Sequence, residues 1–348
     1  MTAFPTYPDA IAPDWLAGIL GRPAESLTGF GVLPVGTGQM CDSFRLSLDW
    51  AMPGLGPQTI IAKCPSGNEQ SRAIASQLGG YRLEVMFYQR LAAYVMVARP
   101  HCHFAEIADN DVDFLLLFDD LAPAQQGDQL VGASAAELDA AVDQAAALHA
   151  SLWASPLLDA QTWLHRDTRP LVKAMFPALY AGFRDRYADT LARDVLDLGA
   201  AIIPRLDAYL DRAPAAPCLV HGDFRIDNIL FGPSGCTAHV LDWQTCAVGS
   251  GASDLAYLIG TSVADPVERA DADTHAFARW IAGLQTRGIT PDHDALWRDY
   301  RIGALSGYFM AVFASMSVER TERGDAMFAV MANRPAQQAL ELESVGLL

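Results

Sequence analysis

Apolar and polar positions alternate in the first third of the chain and recur with helical spacing in most of the rest. The segment SFRLSLDW (43–50) alternates as a half-buried strand does, and TIIAK (59–63) is a short β-branched run. The turn-forming stretch PGLGPQ (53–58) separates them. We therefore predict a small antiparallel sheet here, and a buried strand that ends in acidic residues at DFLLLFDDL (113–121).

Helical periodicity marks the remainder of the chain. The segment YRLEVMFYQRLAAYVMV (81–97) is predicted as a helix beside the sheet. Short strand-like pieces return only near 218–220, 228–231 and 238–242. Long alanine- and leucine-rich helical segments are predicted at 135–153, 172–211, 271–287 and 294–330. The pattern predicts an α+β protein with a small antiparallel-sheet N-terminal lobe (1–118) and a larger, mainly helical C-terminal lobe (119–348).

Composition narrows the class of protein. The chain has 348 residues, of which 51% are hydrophobic and 19% charged, which is typical of a folded protein with more than one core. Its formal net charge of −17 argues against nucleic acid or an anionic membrane as the main partner. The acidic surface either aids solubility or receives a cationic substrate, and the sequence leaves both explanations open.

The cysteines and the first residues bear on the compartment. Six cysteines are scattered without a C-x-x-C pair, a pattern that favours reduced thiols. The start, MTAFPTYPDAIAPDWLAG, lacks the basic and apolar regions of a signal peptide. No apolar run approaches the roughly 20 residues of a membrane span. We expect a cytoplasmic protein without a membrane partner, as a monomer or a homodimer.

The stretch HGDFRIDNILFG (221–232) concentrates candidate chemistry between two predicted strands. Loops on a rigid scaffold carry functional side chains, and Asp223, Asp227, Asn228 and the later Asp242 supply oxygen ligands of the kind that Mg²⁺ prefers. An Asp and an Asn five positions apart, followed by an Asp at a strand end, have the spacing of a phosphoryl-transfer site. Turn formation is the alternative, because Asp and Asn both favour turns.

Together, H-G-D-x-x-x-x-N (221–228) and L-D-W-Q (241–244) resemble the aminoglycoside phosphotransferase and choline kinase family, which has a two-lobed protein-kinase-like fold. The resemblance implies that Asp223 is the catalytic base and that Asn228 and Asp242 are Mg²⁺ ligands. It also implies that these three side chains meet around one magnesium-nucleotide pocket.

Other parts of an ATP site are predicted upstream. Lys63 ends the strand TIIAK, and Glu84 lies 21 residues further on a predicted helix, so the two can form an ion pair beside the ATP phosphates. A solvent-exposed lysine is the alternative, and Glu69, in a loop-like stretch, is a rival for Glu84. Gly36 and Gly38 precede the lysine and can let backbone N–H groups approach phosphate oxygens.

Two further positions follow from the resemblance. Phe118 to Asp120 match the hinge whose backbone holds the adenine edge, although an ordinary buried strand end fits equally well. Asp254 matches a buried acid that braces the catalytic loop through its backbone amides.

The segment His165-Arg166-Asp167 matches H-R-D, the catalytic-loop signature of protein kinases. No Asn follows five residues after Asp167, so we interpret this segment as part of the surface.

The sequence thus predicts an ATP-dependent small-molecule kinase that transfers the γ-phosphoryl group to a hydroxyl. The alternative is a catalytically silent nucleotide-binding or scaffold protein of the same fold. The acceptor stays open. Acidic residues beyond 265, including Asp273 and Asp292, suit a cationic acceptor, whereas Trp280, Tyr300 and Tyr308 suit a hydrophobic alcohol, as in the ecdysteroid-kinase-like branch.

Overall fold

The computed structural model describes residues 4–36, 40–318 and 320–348. The chain forms two compact units, each described here by itself. The first, which we call the sheet unit, comprises Met1–Ala93, Arg99–Ala122 and Asp242–Thr245. The second, the helical unit, comprises Tyr94–Ala98, Pro123–Leu241 and Cys246–Leu348.

The sheet unit is built on five antiparallel strands in the order β1-β2-β3-β5-β4. The short run TIIAK lies in the third strand, where Ile60, Ala62 and Cys64 are buried on one face. Lys63 lies between them and therefore points to the other face. The strands are β1 (Leu27–Val35), β2 (Cys41–Trp50), β3 (Thr59–Pro65), β4 (Cys102–Ile107) and β5 (Phe114–Asp119).

Among its described residues, the sheet unit also contains three α-helices: α1 (Pro13–Ile19), α2 (Glu69–Leu78) and α3 (Gly80–Arg90). The prediction of a loop at Glu69 was wrong, because Asn68 caps a helix there by accepting a hydrogen bond from Ser71 N at 3.0 Å. The predicted helix 81–97 ends at Arg90 and passes into a short 3₁₀ turn. Gly79, at a left-handed φ of 65°, separates α2 from α3.

The helical unit contains ten α-helices among its described residues and two small antiparallel sheets. The helices are α4 (Ala135–Ser151), α5 (Pro156–Asp159), α6 (Arg169–Arg186), α7 (Arg193–Ile202), α8 (Leu206–Asp211), α9 (Gly251–Ser262), α10 (Pro266–Gln285), α11 (His293–Gly303), α12 (Leu305–Ser317) and α13 (Glu322–Glu341). The strands are β6 (Gln125–Gln126), β7 (Pro217–Val220), β8 (Ile229–Phe231), β9 (Ala238–Val240) and β10 (Ala247–Ser250), in the orders β6-β8-β9 and β10-β7.

This architecture confirms the predicted α+β class, with differences at the element boundaries. The helical segment predicted at 172–211 is three helices, and that at 294–330 is also divided. Helix α4 begins where Ser134 and Glu137 form a capping box, which fixes its first turn. Within the described residues, every helix is too short or too polar to cross a bilayer.

A buried carboxyl group links three helices of the helical unit. Asp273 on α10 is 3% exposed, and its Oδ1 accepts hydrogen bonds from Tyr300 Oη (2.6 Å) and Gln338 Nε2 (2.7 Å). Burial raises the pKa of Asp273 to about 6, and the two hydrogen bonds offset only part of that effect.

We expect Asp273→Asn to stabilise the protein at neutral pH. Because the folded-state pKa of Asp273 lies above its ordinary value, the folded state binds the extra proton below about pH 6, and stability falls as pH rises through that range. Asparagine keeps the Oδ1 acceptor without the charge, so the gain is about 1–2 kcal/mol in unfolding free energy at pH 7 and disappears near pH 4. Urea unfolding at both pH values measures it.

Asp271→Asn is the matched control, because Asp271 lies exposed on the same helix. Equal effects of the two substitutions at neutral pH contradict this account of Asp273.

Candidate active site

The loop that carries Asp223 is held by its backbone. It leaves β7 at Val220 and passes through Gly222, whose φ of 82° strains any residue with a side chain. The carboxylate of Asp254 accepts from the backbone N–H of His221 at Oδ2 (2.6 Å) and of Gly222 at Oδ1 (3.0 Å). The structure thus confirms that Asp254 braces the loop through its backbone amides, as the resemblance implied. These two hydrogen bonds fix the backbone immediately before Asp223.

The brace is itself supported by two buried rings. His149 on α4 is fully buried, and its Nε2 lies 3.2 Å from Asp254 Oδ2. Its other ring nitrogen, Nδ1, accepts a hydrogen bond from Trp280 Nε1 at 3.0 Å. Both ring nitrogens are therefore occupied within the fold, which fits a positioning function for His149 rather than contact with a substrate.

Three donors surround the carboxylate of Asp223. Arg225 Nε lies 3.1 Å from Oδ1 and 3.2 Å from Oδ2. Tyr257 Oη donates to Oδ1 at 2.7 Å, and Asn228 Nδ2 donates to Oδ2 and to the backbone oxygen of Asp223, both at 2.8 Å. The structure thus brings Asp223 and Asn228 together, and it adds Arg225 and Tyr257 to the pair.

These donors keep Asp223 ionised. Burial alone raises the pKa of this carboxyl, but the positive charge of Arg225 and then the hydrogen bond from Tyr257 outweigh it, so the pKa lies below its usual value. An ionised carboxylate at this position can orient a hydroxyl group and accept its proton.

Asp227, the second acid of the loop, has a structural function. Its Oδ2 accepts from Arg225 Nη1 at 2.9 Å, and its Oδ1 accepts from the backbone N–H of Gln129 at 2.7 Å. Asp227 therefore holds Arg225 in place against Asp223 and fixes the segment around Gln129.

A second cluster lies within the sheet unit. Lys63 Nζ lies 2.9 Å from Glu84 Oε1, 2.7 Å from Glu84 Oε2 and 3.1 Å from Asp242 Oδ1. The ion pair predicted between Lys63 and Glu84 is present, whereas the binding of nucleotide by the two stays a prediction. Burial alone lowers the pKa of Lys63, but Asp242 and Glu84 outweigh it, so the pKa lies above its usual value and the lysine is charged.

Asp242 is presented by the residues that follow it. It has a left-handed φ of 64°, and its side chain is 38% exposed. The indole ring of Trp243 is fully buried and stacks on Phe87, with ring centroids 3.8 Å apart. Gln244 Nε2 donates to Glu84 Oε2 at 3.3 Å. This anchoring turns one carboxylate edge of Asp242 toward Lys63 and leaves part of the side chain accessible.

The chemistry of the side chains at 228 and 242 fits a hard cation. The amide nitrogen of Asn228 is committed to Asp223, so its oxygen is the atom that can serve as a ligand. Asp242 contributes a partly exposed carboxylate. Oxygen atoms of these types suit Mg²⁺, which keeps several waters and takes only one or two carboxylates from a protein. The described residues contain no cluster of three or more His, Cys, Asp or Glu arranged for a metal ion.

The other predicted nucleotide contacts are only partly described. Gly36 has a left-handed φ of 80°, which fits a tight turn, whereas Gly38 lies outside the described residues. Phe118 is buried at the end of β5. The carboxylate of Asp120 pairs with Arg45 at 2.5 Å, so any contact of this segment with adenine falls to its backbone. Binding of adenine at 118–120 stays a prediction.

Sequence reasoning assigned no function to Arg225 or Tyr257. Arg225 lies two positions from both Asp223 and Asp227, and that spacing was a usable signal for charge pairing. Tyr257 follows Asp254 by three positions on one helix, so both side chains share a face. Its contact with Asp223, 34 positions away, exists only in the folded chain.

The residues considered for the acceptor also have internal functions. Asp292 caps α11 by accepting from Ala295 N at 3.1 Å, and Asp273 is buried as described above. Trp280, Tyr300 and Tyr308 are fully buried. None of these five side chains is therefore placed to line a site for a cationic or a hydrophobic acceptor.

Comparison with known families identifies one match. Residues 72–296 match the phosphotransferase enzyme family, a range that includes Glu84, the Asp223 loop, Asp242 and Asp254. A segment of 105 residues is 33% identical to acyl-CoA dehydrogenase family member 11 of Mus musculus, and it covers 28% of this chain. That segment covers only 13% of the length of the mouse protein.

Solved structures show the same fold at low sequence identity. Macrolide 2'-phosphotransferase type I superposes with a TM-score of 0.51 at 16% identity and covers 90% of this chain and 94% of its own. Choline kinase from Cryptosporidium parvum Iowa II gives a TM-score of 0.51 at 11% identity, over 92% of this chain and 91% of that one. These likenesses confirm the predicted kinase-like fold.

Proposed function

Because the chain belongs to the phosphotransferase enzyme family, we propose that it transfers the γ-phosphoryl group of Mg-ATP to a hydroxyl group of a small molecule. The observation that carries the proposal is the environment of Asp223: an ionised carboxylate held by Arg225, Tyr257 and Asn228 on a braced loop. A loop used only for chain reversal has no need of a largely buried, charge-compensated acid.

In the proposed reaction, Asp223 accepts the hydrogen bond and then the proton of the acceptor hydroxyl. The hydroxyl oxygen forms a bond to the γ-phosphorus while the bond from that phosphorus to the β–γ bridging oxygen breaks, and ADP leaves. Lys63, held by Glu84, places a positive charge on the nucleotide phosphates. Catalysis of this kind is mainly positioning and electrostatic stabilisation.

Asn228 and Asp242 are the proposed ligands of Mg²⁺. When bound, the ion neutralises phosphate charge and orients the oxygens that it shares with the nucleotide. The contact between Lys63 and Asp242 is compatible with this proposal, because it holds one Asp242 oxygen and leaves the other available. We place the reaction in the cytoplasm, the compartment where ATP is abundant and reduced cysteines persist.

A screen of hydroxylated compounds with Mg-ATP tests the proposal. Sugars, amino alcohols, sterol-like alcohols and antibiotics belong in it, and hydroxyacyl thioesters are added because of the name of the mouse relative. ADP formation that depends on one acceptor class, and that is absent with Asp223→Asn, supports the kinase. Nucleotide binding without turnover across all classes favours the silent scaffold instead.

We expect Tyr257→Phe to change the pH dependence of turnover. The phenolic hydroxyl stabilises the ionised form of Asp223, so removing it raises the pKa of that carboxyl. The base must be ionised to work, and activity is lost as pH falls through its pKa. The acidic limb of the kcat profile therefore moves to higher pH. A uniform drop at every pH, with the limb unmoved, contradicts the function given to Tyr257.

A further inference from the structure

An open cleft of about 200 Å³ lies in the helical unit beside the Asp223 loop. Gly222, which directly precedes Asp223, and Tyr257, which donates to its carboxylate, both line it. The other walls include Arg212, Ser250, Ser253 and Asp254. The volume is below the roughly 300–1,000 Å³ typical of sites that enclose a drug-sized ligand, so the cleft suits one small polar group of a substrate.

The guanidinium of Arg212 is positioned without a carboxylate partner. Its Nη1 donates to Tyr209 O at 2.7 Å, its Nη2 lies 3.5 Å from Ser253 Oγ, and it covers the ring of Tyr209 at 4.5 Å. Within the residues that the structure describes, no Asp or Glu oxygen pairs with it.

A helix N-terminus and an unsatisfied hydroxyl meet at the same cleft. Ser250 is the residue before the first turn of α9, a position where serine usually accepts a hydrogen bond from the helix, but its side chain makes no such bond. Ser250 is 6% exposed, and among the described residues its Oγ has no hydrogen-bond partner. A buried hydroxyl without a partner costs free energy unless something supplies one.

The negative charge of Asp254 in the cleft wall is already compensated. Both of its oxygens accept hydrogen bonds from the backbone of the Asp223 loop, and one also contacts His149. The group left to meet a ligand directly is therefore the Arg212 guanidinium, with the positive end of α9 beside it. Both attract an anion, and a helix N-terminus binds carboxylates and phosphates well.

We propose that this cleft binds an anionic group, a carboxylate or a phosphate ester, of the hydroxylated acceptor, with Arg212 as the residue that selects for it. The inference rests on the proposed function, because it names the class of molecule that receives the phosphoryl group. An anion site at Arg212 makes this chain selective against cationic acceptors such as amino alcohols, in spite of its acidic surface.

Calorimetric titration of the full chain without nucleotide tests the binding step. The probes are 3-hydroxybutyrate and glycerol 3-phosphate, which separate a carboxylate from a phosphate, with glycerol and choline as neutral and cationic counterparts. We expect saturable binding of at least one anion and none of choline. Arg212→Gln lowers the affinity for that anion about tenfold or more, and Arg212→Lys lowers it less.

Arg287→Gln is the matched control, because Arg287 is exposed and its Nη1 donates to the backbone oxygen of Gly283 at 2.9 Å. It leaves anion binding unchanged. Binding of choline at least as tight as that of the anions, equal effects of the Arg212 and Arg287 substitutions, or no binding of either anion each overturns the inference.

Turnover distinguishes this failure from failure of the proposed function. If an anionic acceptor is phosphorylated, Arg212→Gln raises its KM about tenfold and leaves kcat within a few-fold. Phosphorylation of choline without phosphorylation of anionic acceptors supports the proposed kinase function and contradicts the anion site. Anion binding through Arg212 without any phosphoryl transfer contradicts the proposed kinase function. It also contradicts the identification of the bound anion as the acceptor.

Discussion

Asp223→Asn is expected to lower kcat by about 10²–10⁴-fold, the range that a general base contributes. Asparagine occupies nearly the same volume and can still accept from Tyr257 and Arg225, so the loop should remain folded. What it loses is the ability to take the proton of the acceptor hydroxyl. Steady-state kinetics with a saturating acceptor measures the change, and a thermal unfolding scan verifies the fold.

Asp167→Asn is the control for this prediction. Asp167 belongs to the H-R-D sequence at 165–167, but it lies at the surface, where its carboxylate pairs with Arg169 at 2.7 Å. The structure thus places it in an exposed segment before α6, as interpreted from the sequence. Its substitution should leave kcat unchanged. Wild-type turnover by Asp223→Asn, or an equal loss in Asp167→Asn, removes Asp223 from the reaction.

Lys63→Met is expected to have the second large effect, on both stability and turnover. Lys63 is the cation within 3.1 Å of both Glu84 and Asp242, and Glu84 is 1% exposed. Removing one partner of a buried pair strands the other charge, which costs about 3–5 kcal/mol in unfolding free energy. Loss of the phosphate contact lowers kcat/KM at least about a hundredfold.

The double variant Lys63→Met with Glu84→Gln separates the two effects. Neutralising Glu84 removes the stranded charge, so much of the stability returns while turnover stays low. Lys173→Met is the matched surface control: Lys173 bridges Asp207 and Asp211 in solvent, and its loss should change neither property. Full activity in the double variant shows that Lys63 serves only to balance Glu84.

Three of the five strands of the sheet unit were predictable, β2 from its alternation and β3 and β5 as short apolar runs, whereas β1 and β4 were not predicted. Residues 43–50 and 59–63 lie within β2 and β3, where Leu46 and Leu48, and then Ile60 and Ala62, are buried at alternate positions. The helical unit was less predictable, since alanine-rich periodicity marks helical character but not the breaks. The division of 172–211 into three helices and the strand β10 depend on tertiary packing, which overrides local preference. Helix α2 was missed because the capping function of Asn68 went unrecognised.

The candidate site likewise contains contacts that the sequence predicts and contacts that it does not. Asp223 and Asn228 are close in sequence, so their contact follows from a local spacing. Lys63 and Glu84 were paired through expected positions on a strand and a helix, and the ion pair is present. Tyr257, Arg212 and Ser250 carried no motif. Their positions beside the loop depend on where α9 begins and on the hydrogen bonds of the folded chain. A local sequence pattern predicts neither.

Product analysis by phosphorus NMR tests the central claim most directly. Wild-type protein is incubated with Mg-ATP and an acceptor identified in the screen, in parallel with Asp223→Asn. The account predicts equal amounts of ADP and a new phosphomonoester on the acceptor hydroxyl with wild type, and neither above background with the variant. Inorganic phosphate as the sole product, or phosphorylated acceptor formed equally well by Asp223→Asn, contradicts it.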